Sequence, residues 1–234
     1  MTFPLFFIEQ INPALGVFQL SEENSKHAVQ VLRMQNGEQL QLTDGKGNLF
    51  TAQIIDNNKN KCCVQIIKTI NDKPSANNIT IAISLIKNSS RFEWFLEKAT
   101  EIGISAIIPL ICERTEKQHF RLQRMQSILI SAMLQSQQSW LPVLQEPVKY
   151  STVIKQTNQQ QKFIAHCQEG NEKVQLSAMQ PFGNTTILIG PEGDFTKGEI
   201  EQALQNNFVP VSLGHTRLRT ETAGVVAAVL LCTL

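Results

Sequence analysis

The sequence predicts an α/β protein: a mostly parallel sheet with helices on both faces, preceded by a small β-barrel domain. Three observations predict it. Residues 1–73 offer short strand candidates punctuated by Asn-Gly and Asp-Gly turns. From residue 74 onward, apolar strand-like runs alternate with segments of helical period. In the last fifty residues, two strands end at glycine-marked bends that each lead into a helix, and open α/β sheets hold their ligands at such carboxyl ends.

The first element is a strand at Phe6 to Ile8. Ser21 then reads as a helix cap, with acidic Glu22 and Glu23 in the first turn and Ala28, Val29 and Leu32 as the apolar positions. Asn36-Gly37 and Asp44-Gly45-Lys46-Gly47 bracket strands at Gln39 to Thr43 and Leu49 to Ile55, a hairpin pattern. Cys62 to Ile67 follows as a further strand, and a small barrel is the natural closure for strands this short. Asn71 to Asn78 is polar, aperiodic and contains Pro74, so the domain boundary is placed there: residues 1–73 and 74–234.

In the second domain Ile79 to Ile86 is a strand. Ser90-Arg91-Phe92-Glu93 has capping-box spacing, Phe92, Leu96, Ala99 and Ile102 share one helical face, and Gly103 is the stop. Ile104 to Ile111 is the next strand, and Phe120 to Gln135 is amphipathic through Met125, Ile128, Leu129 and Ala132. Lys162 to His166 is a fourth strand.

Thr186 to Ile189 is β-branched and apolar, and it runs into Gly190-Pro191-Glu192-Gly193-Asp194. Thr196-Lys197-Gly198-Glu199 has capping-box spacing and opens a helix through Ile200, Ala203 and Leu204. Phe208 to Leu213 is a second strand ending at Gly214. After His215 to Arg219, Thr220-Glu221-Thr222 supplies cap chemistry for a last helix from Ala223 to Leu231, apolar on nearly every face.

The chain has 234 residues, 42% of them hydrophobic, enough for one large core or two modest ones. Its formal charge of +1 means that nucleic-acid affinity has to come from a local patch. The five cysteines form no C-x-x-C, a pattern that fits reduced thiols in a cytosolic protein. The apolar start, Met1 to Phe7, lacks a basic segment and a cleavage site, and the apolar run from Ala223 to Leu234 is shorter than the roughly 20 residues a bilayer requires. Neither a membrane span nor a metal site is expected. Walker spacing and Gly-x-Gly-x-x-Gly are both absent.

Leu188-Ile189-Gly190-Pro191-Glu192-Gly193, Leu213-Gly214 and Leu218-Arg219-Thr220-Glu221-Thr222-Ala223 together resemble the SPOUT class of RNA methyltransferases, and within it the RsmE family. His27 to Arg33 with Gly37 and Asp44-Gly45 resembles that family's PUA-like amino-terminal barrel. Lys87, Arg91, Glu93, Lys98, Ala99, Glu101 and Gly103 resemble its first strand-to-helix junction, with Arg114 beyond the second strand. Gln135 and Ser136 match a further segment, where Leu134 and Gln138 depart from an acidic residue and an arginine. The resemblance implies a SPOUT-type carboxyl-terminal trefoil knot, a homodimer and S-adenosyl-L-methionine as methyl donor. The acceptor it implies is N3 of a uridine in 16S ribosomal RNA, free or in the small ribosomal subunit.

On that resemblance the donor would lie among Leu188, Ile189, Gly190, Pro191, Glu192, Gly193, Leu213, Gly214, Leu218, Arg219, Thr220, Thr222 and Ala223. Methyl transfer from a sulfonium is mainly a matter of positioning and needs no metal. Deprotonating uridine N3 calls for a carboxylate and a guanidinium, and Glu221 and Arg219 are the nominees for base and orienter. The alternative for that pair is an internal ion pair, and for Glu192 a structural carboxylate that satisfies turn amides. Arg33, Lys87, Arg91 and Arg114 are the candidate RNA contacts, against ordinary surface charge. Two other functions stay open: 2′-O-methylation of a ribose on the same fold, and a non-catalytic RNA-binding assembly protein.

Overall fold

The computed structural model describes residues 3–11, 16–116, 119–169 and 172–233; Met1 and Thr2 of the apolar start and Leu234 of the terminal run lie outside them. The chain falls into two units, Met1–Pro74 with Met133–Leu141, and Ser75–Ala132 with Pro142–Leu234. The short segment that joins the first unit had no marker in sequence. It is attached by backbone pairing, since the Gly47 amide donates to the Ser139 carbonyl and the Leu141 amide to the Gly45 carbonyl, both at 2.9 Å.

In the first unit, β1 (Leu5–Phe7), β2 (Val17–Gln19), β3 (Gln39–Thr43), β4 (Asn48–Asp56) and β5 (Cys63–Asn71) form one sheet in the order β1-β3-β4-β5-β2. Only β1 and β3 pair in parallel; β3–β4 is the expected hairpin, and two register shifts along β4–β5 bend the sheet. Inward residues of these strands, including Phe6, Leu40, Leu42, Phe50, Ile54 and Val64, build the core. Ser21 caps α1 (Glu22–Lys26) by accepting from the Asn24 amide at 3.2 Å. The helix expected through Leu32 stops being α-helical at Lys26. His27–Val31 is a π-helical turn in which the Leu32 amide reaches the His27 carbonyl, five residues back, at 2.9 Å. His27 packs edge-on against the Phe6 ring, at a centroid distance of 5.6 Å.

The second unit holds β6 (Asn78–Ser84), β7 (Ala106–Ile111), β8 (Val143–Leu144), β9 (Val148–Lys149), β10 (Gln161–Ala165), β11 (Val174–Gln175), β12 (Asn184–Ile189) and β13 (Val209–Ser212). Their order is β11-β13-β10-β12-β6-β7-β8, with β9 also on β7, and every pairing is parallel. The short β8, β9 and β11 carry too few residues to show a period. Helices α2 (Ser89–Ile102), α3 (Leu122–Gln135), α4 (Tyr150–Gln156) and α5 (Lys197–Gln205) lie between the strands, and α6 (Thr220–Cys232) follows the last of them.

Alternate residues of one strand locate the helices. Ala82 packs in a cluster with Tyr150 of α4 and Ile200 and Ala203 of α5, whereas its neighbour Ile83 meets α6 at Gly224. The sheet is therefore covered on both faces. At Gly224 a Cβ would lie 2.6 Å from the Phe95 ring and 2.8 Å from Ile83 Cδ1, so the small residue is what lets α6 close on α2 and β6.

Capping follows the sequence at α5 and departs from it at α2. Thr196 and Glu199 exchange both bonds of a capping box. At α2 the cap is Asn88, whose side chain accepts from the Ser90 amide at 3.0 Å, and Glu93 turns away to hold Arg124 of α3 through two bonds of 2.7 and 2.8 Å. A long-range guanidinium outbids the local amide for that carboxylate.

Candidate functional site

β10 lies between β12 and β13, so three parallel strands deliver their carboxyl ends to one place. The register sets them level, because Ala165 faces Ile189 on one side and Val211 on the other. The bends that follow, together with the entrance of α6, line a half-open cavity of about 640 Å³. That is within the size range of small-molecule sites.

The first bend, Gly190 to Asp194, is fixed from below and from both sides. A Cβ on Gly190 would lie 3.1 Å from the Phe195 ring, which is fully buried and packs against Tyr150. Asp194 takes a positive φ of 63°, accepts from its neighbour Phe195 and also from the Cys167 amide at 2.8 Å, and so ties this bend to the loop after β10. Glu192 accepts from the Lys87 amide at 3.1 Å, and Arg114 donates to the Gly193 carbonyl at 2.7 Å. Beneath the bend, Glu199 also accepts from the Glu113 amide, and burial followed by the Glu199 charge pushes the nearby Cys112 thiol up to about 12.

The second bend runs from Leu213 to Arg219. Gly214 has a φ of 147° and open space where a Cβ would point, so its conformation, rather than crowding, calls for glycine. Arg219 is the N-cap residue of α6 and makes no side-chain cap bond. The Thr220 hydroxyl, read from sequence as cap chemistry, instead donates to the Gly190 carbonyl at 3.0 Å, joining the second bend to the first.

Of the residues expected around a ligand, Ile189, Gly190, Pro191, Glu192, Leu213, Gly214, Leu218, Arg219, Thr220, Glu221 and Ala223 line the cavity. Leu188, Gly193 and Thr222 do not. Leu188 points into the core with Ala82, Ile164 and Phe195, as strand alternation after Ile189 requires, and Gly193 is turned toward Arg114.

The four candidate RNA contacts separate. Arg91 lines the cavity and its Nε stands 3.7 Å from Glu221 Oε1. Lys87 pairs with Glu116 at 3.0 Å on the surface, Arg114 braces the Gly193 bend, and Arg33 is an exposed residue of the other unit with a positive φ of 58°. Glu221 is 6% exposed and sits in the first turn of α6, where the helix dipole favours a carboxylate. Among the described residues its ion partner is Arg91, 130 positions away in sequence, and not Arg219, the partner in the internal-ion-pair alternative.

Sequence reasoning missed the third wall. Ala165, His166, Cys167 and Lys173 line the cavity, and so do Val211 and Ser212 below the second bend and Arg217 within it. The available signal was the end of the strand at Lys162 to His166, once β10 is known to lie between β12 and β13. Among the described residues, no group of His, Cys, Asp and Glu could hold a metal ion, and no helix is long and apolar enough to cross a membrane.

The profile of the RNA methyltransferase domain matches residues 73–232, and that of the RNA methyltransferase PUA domain matches residues 20–67. The Rickettsia conorii protein named ribosomal RNA small subunit methyltransferase E is 30% identical over 212 residues, 89% of this chain and 86% of its own. A probable rRNA-methyltransferase from Porphyromonas gingivalis superposes with a TM-score of 0.88 at 39% identity, covering 96% of this chain and 95% of that one. The Neisseria gonorrhoeae ribosomal RNA small subunit methyltransferase E, solved bound to S-adenosyl methionine, superposes with a TM-score of 0.86 at 31% identity, covering 97% and 95%.

Proposed function

The chain belongs to the RNA methyltransferase family, in its small-subunit methyltransferase E (RsmE) branch with the SPOUT fold, and from that premise we propose that it methylates N3 of a uridine in 16S ribosomal RNA with S-adenosyl-L-methionine as donor. The observation that carries this reading is the cavity where three strand ends meet the entrance of α6, with Glu221 in its wall and Arg91, Arg217 and Arg219 around it.

The residues present suit the donor. Ile189, Pro191, Val211, Leu213 and Leu218 offer apolar surface for a flat ring, and Gly190 and Gly214 let the backbone come close to its edge. When bound, the donor supplies an electrophilic methyl group. Glu221 takes the N3 proton as the bond to carbon forms, and the acceptor is the nitrogen lone pair that this leaves. Arg219, exposed at the helix entrance, holds the uracil carbonyl on which the negative charge gathers. Arg91 stands beside Glu221 and balances its charge.

The amino-terminal unit grips RNA, with Arg33 on its surface. After β13 the chain recrosses the ends of β10 and β12 to pack α6 against α2 and β6, a path that suits the trefoil threading of the SPOUT fold. Trp94 of α2 and Val229 of α6 are 43% and 39% exposed, with Val225 and Val226 half-buried, an apolar surface suited to a second copy of the chain. The setting is the cytoplasm, where ribosomal RNA is assembled.

The test is to incubate the protein with donor and small ribosomal subunits lacking the modification, then digest the RNA to nucleosides for mass spectrometry. The expected product is 3-methyluridine. A 2′-O-methylated nucleoside would move the reaction to ribose, and failure of the protein to bind the donor in calorimetry would make it a non-catalytic RNA binder.

A further inference from the structure

His166 stands one residue beyond β10, the strand flanked by both ligand-facing bends, and lines the cavity. The residue is 7% exposed, yet neither Nδ1 nor Nε2 of its ring has a hydrogen-bond partner. Buried polar atoms without partners are uncommon in folded proteins because each forfeits its hydration. A phenyl ring would fill the same space at no such cost.

Burial, with the neighbouring Lys173 and against the pull of Asp194, holds this imidazole below its ordinary pKa. At neutral pH it is uncharged, with one N–H to give and one lone pair to fill. A sulfonium can satisfy neither and a carboxylate only accepts. Sugar hydroxyls and the adenine edge both give and accept; the backbone at Gly190 and Gly214 can approach the adenine edge, which leaves the sugar hydroxyls to a neutral imidazole.

We propose that His166 reads the ribose hydroxyls of the bound methyl donor, its ring turning into the cavity as the nucleoside enters. The assignment rests on the methyl-donor reading above and names a residue of the pocket that acts on its sugar. The turn gives one of two orphaned nitrogens a hydrogen bond, so part of the selectivity for a ribonucleoside lies in a buried imidazole that has no partner within the protein.

The experiment uses calorimetry with S-adenosylhomocysteine and its 2′-deoxy and 3′-deoxy analogues on the wild type, His166→Phe and His166→Asn, and thermal melting of each protein without ligand. His166→Phe should bind S-adenosylhomocysteine about tenfold more weakly, the scale of one lost hydrogen bond. Wild type should discriminate against at least one deoxy analogue by a similar factor and His166→Phe should not, while His166→Asn recovers part of the affinity. Without ligand, His166→Phe should melt no lower than wild type. Unchanged affinity, an equal loss for the parent ligand and both analogues, or a lower melting temperature with normal affinity would overturn the assignment. If wild type itself fails to bind S-adenosylhomocysteine, the donor reading falls and this one falls with it.

Discussion

Arg91 Nε lies 3.7 Å from Glu221 Oε1, close enough for charge to be felt and too far for a hydrogen bond. The separation leaves a buried carboxylate electrically balanced with its oxygens still able to take a proton. Arg91→Ala should lower the single-turnover rate of methyl transfer at least tenfold and destabilise the protein by about 1 kcal/mol, a modest figure because Arg91 is largely exposed. Arg91→Lys should restore most of the stability. Denaturant titrations set beside rapid-quench rates check both, and a fully active Arg91→Ala protein would remove Arg91 from the mechanism.

Glu221→Gln keeps the size of the side chain and removes its basicity. The rate should fall by about 10²–10⁴, the usual contribution of a positioned base. Affinity for S-adenosylhomocysteine should stay within a few-fold. Near-normal turnover would hand the proton to solvent.

Arg219→Ala should separate catalysis from binding in the same way. Its guanidinium makes no cap bond, so the fold should tolerate the loss while methyl transfer fails. Equal losses in rate and in donor affinity would assign Arg219 to holding the donor instead.

Gly224→Ala places a methyl 2.6 Å from Phe95 and 2.8 Å from Ile83. Overpacking of this kind costs about 1–3 kcal/mol, and for a protein of this size each kcal/mol lowers the melting temperature by about 2–4 °C. A melting curve that does not move would mean that α6 can shift away from β6.

His166 should make stability depend on pH. Its folded pKa lies below the unfolded value near 6.5, so between the two the unfolded chain binds more protons. The stability linked to the neutral ring is fully present above pH 6.5 and is lost as pH falls toward the folded pKa. Urea midpoints at pH 7.5 and 5.5 should therefore drop less for His166→Phe than for wild type, with Lys173 and Asp194 present in both. An identical drop would show that the ring does not titrate across the transition.

Much of the second unit was legible because its signals are local. The capping box at Thr196 and Glu199, the stop at Gly103 and the bend after Ile189 depend on residues within a few positions of each other. The local reading failed where a distant partner competed, as when Glu93 left its helix end for Arg124 and Thr220 left its own for Gly190.

By itself the sequence determined the alternation of strands and helices, the two bends and the family likeness, since periodicity and turn chemistry are written in consecutive residues. Only the tertiary structure decided that β10 lies between β12 and β13, which brings His166 to the cavity wall, and that Glu221 answers to Arg91 rather than to its near neighbour Arg219. The order of strands in a parallel sheet is set by which faces bury together, and that sum runs over the whole core and leaves no mark on any single stretch of chain.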